Sequence, residues 1–106
     1  MKDLRLHLSQ QARDHLQELL ASRREGALPA LLLGKSPTRW ELVAYEKSQA
    51  ETLVATFAAA GHELLFRVDD LVLLVPQGEA LARELLENKH LDIREGTLVL
   101  RESHDG

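Results

Sequence analysis

The fold is decided by the stretch from His62 to Arg101, which reads HELLFRVDDLVLLVPQGEALARELLENKHLDIREGTLVLR. An apolar run from Leu71 to Val75 follows the pair Asp69-Asp70. Before that pair, apolar residues occupy alternate positions at Leu64, Phe66 and Val68. Aspartate tolerates the backbone angles of a tight turn, so the pattern predicts a β-hairpin with one face or both faces buried.

The second half of this stretch predicts a short helix and another hairpin. Gly78 opens the helix, and Asn88 closes it in the left-handed conformation. The residues on its apolar stripe are Leu81, Ala82, Leu85 and Leu86. Residues 91–93 and 98–100 are short apolar segments on either side of the turn at 94–96, which predicts two paired strands.

Upstream of this stretch the sequence begins with a strand and a helix. Leucines at alternate positions over residues 4–8 are typical of one half-buried strand. Ser9 then caps a helix over residues 10–24, and Gly26 ends it. The apolar stripe of this helix comprises Ala12, Leu16, Leu19 and Leu20.

The middle of the chain predicts two strands and a second helix. The uninterrupted apolar run at 30–33 and the alternating segment at 39–46 are expected to pair antiparallel across the loop 34–38. Ser48 and Glu51 form a capping-box pattern, so a helix is predicted over 49–60, ended by Gly61.

The order of these elements predicts an α+β domain. Its β-sheets are expected to be mixed or antiparallel, packed as a compact sandwich and covered by about three helices. The domain is predicted to span residues 1–102. The tail Ser103–Gly106 has no long apolar side chain and is predicted to be flexible and dispensable for folding.

Composition excludes several classes of function. The 106 residues include no cysteine, which removes disulfides, thiolate catalysis and cysteine-held clusters. The net charge is −4 and no concentrated basic face is visible, so nucleic acid is not an expected partner. No apolar stretch approaches the ~20 residues of a membrane span and no secretory signal is recognised, so a cytoplasmic protein is predicted.

The five histidines raise the question of a metal site without cysteine. They are His7, His15, His62, His90 and His104, and no two of them form a recognised ligand motif. Convergence of His62 or His90 with acids such as Glu63 or Asp92 would create such a site. The alternative is that the histidines are isolated at the surface or at strand ends. The prediction is that the protein has no metal ligands and no cofactor.

The order of the local patterns resembles the HesB-like, or A-type iron–sulfur carrier (IscA-like), family. The resemblance covers about residues 4–101. It rests on residues 8–12 as the opening cap and helix, on residues 30–34 as the strand before the first ligand loop, and on 70–75, 91–93 and 96–99 as later strands. The resemblance implies a HesB-like fold. The predicted helix at 49–60 departs from the family, which has a shorter connection there.

The family's three ligand cysteines are absent. The loop that holds the first of them reads Gly34-Lys35-Ser36-Pro37-Thr38 here, and the Cys-Gly-Cys tail is replaced by a region with Ser103-His104-Asp105. The resemblance therefore implies a cysteine-free branch similar to the DsrR type. Its implied role is that of a non-catalytic interaction or regulatory protein linked to sulfur or iron–sulfur metabolism through protein contacts. The protein is predicted to bind a protein partner and to be a monomer or a weak homodimer.

The predicted partner contact lies around the former ligand loop, at Lys35, Arg39 and Trp40. Tryptophan and arginine are enriched at binding hot spots. The alternative for Trp40, on strand position alone, is a place in the core. A second function class is a small-ligand or metal-binding protein that uses histidine and carboxylate groups. Catalysis is not predicted, because no spacing links the serines, histidines and aspartates.

Overall fold

The computed structural model describes residues 1–33 and 40–102. These residues form three helices and eight strands in two mixed sheets, which confirms the predicted α+β class. The elements are β1 (Lys2–Asp3), β2 (Leu6–Leu8), α1 (Gln10–Ala21), β3 (Leu28–Leu33), β4 (Trp40–Tyr45), α2 (Lys47–Ala58), β5 (Leu65–Val68), β6 (Leu71–Leu74), α3 (Glu79–Leu86), β7 (Lys89–Arg94) and β8 (Thr97–Glu102). None of these helices combines the length and hydropathy that a membrane span needs.

The large sheet has the order β1-β5-β6-β3-β4 and the small sheet has the order β2-β7-β8. The pairing of β3 with β4 is antiparallel, as predicted, with Leu31 opposite Leu42. Both predicted hairpins are also present, as β5–β6 and β7–β8. Parallel pairings at β1–β5, β2–β7 and β3–β6 make both sheets mixed.

The turns follow the sequence closely. Asp69 has a φ of 54°, and Glu95 and Gly96 have φ values of 53° and 77°, so both hairpins turn through the left-handed region. Asn88, with a φ of 62°, takes the same conformation just beyond α3, as predicted. These short-range features are confirmed.

The predicted N-terminal strand is wrong in one respect, because two strands replace it. β1 pairs with β5 in the large sheet, and β2 pairs with β7 in the small sheet. Between them the chain bends tightly: the amide of Leu6 donates to the carbonyl of Leu4 at 3.0 Å. The leucine alternation continues through the bend, since Leu4, Leu6 and Leu8 are all buried. The hydrophobic periodicity of the sequence therefore gives no sign of the break between β1 and β2.

Three helix boundaries also differ from the prediction, and one of them is the end of α2, which lies at Ala58 and not at residue 60. The Ser9 hydroxyl accepts from the amide of Ala12 at 3.1 Å, as expected of an N-cap, but α1 ends at Ala21 and not at residue 24. In α2 the capping box is formed by Glu46 and Gln49, and the Ser48–Glu51 box is not used. The helix consequently begins at Lys47, two residues earlier than predicted.

The core has two parts on opposite faces of the large sheet. The larger part lies between the two sheets and helices α1 and α3, and includes Phe66, Leu73 and Leu91. The smaller part lies under α2, where Ala50 packs with Ala30, Leu64 and Leu74. Successive residues such as Leu65 and Phe66 on β5 enter different parts, which is the period-2 geometry of a strand.

Candidate functional site

The two sheets approach each other at two places, and each place has a concavity. On one side the chain passes from β1 in the large sheet to β2 in the small sheet. On the other side the end strand β4 of the large sheet lies against β8, an end strand of the small sheet. We call the first concavity the N-terminal cleft and the second the edge corner.

The edge corner contains a slot of about 210 Å³ between β4 and the β7–β8 hairpin. The slot has apolar and polar walls, formed by His15, Trp40, Glu41, Leu42, Val43, Ile93, Gly96, Thr97 and Leu98. Its volume is of the order of one large side chain. Concave sites that accept an anchoring side chain are typical centres of protein interfaces.

Trp40 lines this slot and belongs to the core at the same time. Only 4% of its surface is exposed, and its side chain packs in the larger part of the core. The alternative that Trp40 is a core residue therefore agrees with its burial. Lys35 and Arg39, the other two predicted contact residues, lie outside the described residues.

Behind the slot, Asp92 ties α1 to β7. Asp92 is 8% exposed, and its carboxylate accepts from the Ser9 hydroxyl at 2.7 Å and from the Ile93 amide at 2.8 Å. Arg94 and Arg101 approach its other oxygen at 3.5 Å and 3.4 Å. The hydrogen bond from Ser9, followed by that from the Ile93 amide, lowers the pKa of Asp92 below its ordinary value of 3.8. This ionised group supports the N-cap of α1 and has a structural role.

The N-terminal cleft has a volume of about 910 Å³. Its walls are the bend between β1 and β2, the end of β5 and the start of β7, which contribute Asp3, Leu4, Arg5, Leu6, His7, Arg67, Asp69, Asn88, Lys89 and His90. The backbone of Arg5 is held from both sides. Its amide donates to the Glu87 carboxylate at 2.8 Å, and its carbonyl accepts from the Asn88 amide at 2.6 Å.

The described residues include four of the five histidines, His7, His15, His62 and His90. No group of three or more histidines and acids there is arranged to hold a metal ion. His62 lies beside Phe57, with ring centroids 6.4 Å apart, and Asp92 is engaged by Ser9. The ring of His90 instead lies beside that of His7, with ring centroids 4.6 Å apart and the ring planes tilted by 48°. His104 lies outside the described residues.

Sequence reasoning missed the pairing of these two histidines and the position of Arg5 beside them. Arg5 and His7 occupy the polar positions of the predicted N-terminal strand, so both were expected to face away from the core. The parallel pairing of β2 with β7 places His7 opposite His90, and Arg5, in the bend before β2, lines the same cleft. No local pattern signals a pairing across more than 80 residues.

Comparison with models of known protein families, with curated proteins and with solved structures found no match.

Proposed function

We propose that this protein is a non-catalytic interaction protein and that the edge corner is its partner-contact surface. The observation that carries the proposal is the slot of about 210 Å³ between β4 and β8, with Trp40 in its wall. A partner would insert one large apolar or aromatic side chain into it. The fixed cations Lys35 and Arg39 precede Trp40 in the sequence and are proposed to contact the same partner.

Three features of the edge corner support a contact with protein. Apart from Gly96 in the β7–β8 turn, its walls come from the three strands β4, β7 and β8 and from helix α1, and such elements hold a site more rigidly than loops do. The rim carries Glu41 and Thr97, both exposed, while Leu42 beside them is buried. A concavity with buried apolar residues in its wall and exposed polar residues at its rim fits the anatomy of an interface centre.

Site-specific photo-crosslinking tests the proposal and isolates the partner in the same step. A benzophenone amino acid at Glu41, on the rim, is expected to capture a defined protein in cells. The same group at Gln17, an exposed position on α1 that does not line the slot, serves as the matched control. Thr97→Arg should abolish the product at position 41, because a large side chain then covers the slot.

Purified partner should also change the fluorescence of Trp40, the protein's single tryptophan, and this change should be lost in Thr97→Arg. Equal crosslinking at positions 17 and 41, or a product at position 41 that persists in Thr97→Arg, would assign the contact to another surface. Retained helical circular dichroism in the variant separates loss of binding from loss of folding.

The proposed link to sulfur or iron–sulfur metabolism rests on the family resemblance alone. A resident cluster is not part of the proposal, since cluster iron is held chiefly by thiolates and the chain has none. Anaerobic incubation with iron and sulfide, followed by desalting, is expected to leave no visible absorption and no bound iron. A stable brown product with stoichiometric iron would overturn this expectation.

A further inference from the structure

We infer that the N-terminal cleft binds an oxyanion, the phosphate or carboxylate group of a small molecule, through Arg5 with His7 and His90 beside it. This site is separate from the edge corner, because the two concavities share no wall residue. The inference therefore stands whether or not the edge corner binds a protein.

The balance of charge in the cleft is opposite to that of the whole protein. The chain carries a net charge of −4. The cleft walls contain three fixed cations, Arg5, Arg67 and Lys89, against two carboxylates, Asp3 and Asp69. A local excess of positive charge in a concave site raises the local concentration of anions.

Most of these charges already have partners, and the exception is Arg5. Lys89 is paired with Glu102, and Asp69 with Arg13, which is not a wall residue. Arg67 lies 4.0 Å from Asp3, and both side chains are well exposed. In the described part of the chain, the guanidinium of Arg5 has no ion pair and no hydrogen bond to a side chain. A guanidinium offers two parallel N–H donors that match a carboxylate or a phosphate.

The two adjacent imidazoles of His7 and His90 add further donors at the same wall. His7 and His90 are opposite each other on adjacent parallel strands, with ring centroids 4.6 Å apart and planes 48° apart. Neither forms an ion pair with a carboxylate within the described residues. A neutral imidazole carries one N–H donor and a protonated one carries two. The side-chain amide of Asn88, also in the wall, offers two more donors.

Donor chemistry favours an anion over a metal ion in this cleft. A stable metal site needs three or four convergent ligands, and two histidines supply two. The described residues provide no set of three histidines and acids at this place or elsewhere. Arg5, whose guanidinium has no ion pair within the described residues, is a fixed cation of the same wall, and it repels metal ions and attracts oxyanions.

The test is a titration of the full chain in which two-dimensional NMR monitors the signals of the backbone amides and of the imidazoles. The probes are inorganic phosphate and, separately, malonate, with ionic strength held constant by sodium chloride. Signals of Arg5, His7, Asn88 and His90 are expected to shift together and to saturate in the millimolar range. Phosphate binding alone would indicate a phosphorylated ligand, and malonate binding alone would indicate a carboxylate ligand.

Arg5→Gln should weaken binding of the active probe by about tenfold or more, since a charge-assisted hydrogen bond is lost. Arg24→Gln is the matched control, because Arg24 is an exposed cation outside the cleft and its replacement changes the net charge equally. Shifts that do not saturate, shifts spread over all basic residues, or equal weakening by both variants would overturn the inference.

Discussion

Leu73→Ala is expected to lower the free energy of unfolding by about 2–5 kcal/mol. Leu73 lies on β6 at the centre of the larger core, with 2% of its surface exposed, and it is opposite Phe66 in the β5–β6 hairpin. Truncation to alanine removes buried methyl groups and leaves a cavity that the surrounding strands cannot close. Since small domains have a total stability of about 5–15 kcal/mol, such a loss is a large fraction of it.

Urea denaturation followed by circular dichroism measures this loss. The control is Leu53→Ala on α2, where the side chain is only half-buried and packs in the smaller core. Its effect should be clearly smaller, because less apolar surface leaves contact with water on folding. A midpoint for Leu73→Ala equal to that of the unmodified protein would mean that β6 does not occupy the centre of the fold.

The sequence predicted those parts of the fold that depend on neighbours in the chain. The turn at Asp69 and the left-handed Asn88 follow from the backbone preferences of these residue types, and the structure has both. Alternating leucines, valines and Phe66 placed the hairpin strands correctly. The capping box was misplaced because Ser48–Glu51 and Glu46–Gln49 overlap, and only the second is used.

The sequence analysis did not predict the strand pairings between distant segments of the chain. Residues 2–3 pair with residues 66–67, and residues 6–8 pair with residues 89–91. The chain passes from one sheet to the other at Leu4 and Arg5, but the alternation of buried leucines continues there. The hydrophobic periodicity therefore does not indicate the change of sheet. The N-terminal cleft exists only because of this change.

The edge corner was predicted only in part from the sequence. The sequence indicated Trp40 as a contact or a core residue, and the structure places it in the core and also in the wall of a slot. The other wall of that slot, Ile93 and Gly96–Leu98, was predicted only as part of a hairpin. Its approach to β4 depends on how the two sheets pack, which strand patterns do not specify.

Asp92→Asn is expected to make the protein less stable at neutral pH and to flatten the decline of its stability in acid. The carboxylate of Asp92 accepts from Ser9 and from the Ile93 amide and lies near Arg94 and Arg101. Asparagine keeps one acceptor oxygen but loses the negative charge that these donors stabilise. The N-cap of α1 is weakened with it, since Ser9 also accepts from Ala12.

The direction of the pH effect follows from the lowered pKa of Asp92. In the unfolded chain this carboxyl titrates near its ordinary value of 3.8, and in the folded protein it titrates lower, chiefly because Ser9 donates to it. Between these two values the unfolded chain binds more protons, so folding stability rises with pH. The contribution of Asp92 to folding stability is complete above its pKa in the unfolded chain. It is lost as the pH falls through the lower pKa of Asp92 in the folded protein.

Thermal unfolding measured from neutral pH down to pH ~3 tests this prediction, because that range crosses the ordinary pKa of an aspartate. Glu84→Gln removes an exposed carboxylate that has no ion pair within the described residues, and it controls for the change in net charge. The Asp92→Asn profile should converge with that of the unmodified protein in acid, while the Glu84→Gln profile should run parallel to it. Parallel profiles for both variants would show that Asp92 is not the group whose protonation weakens the contact between α1 and β7.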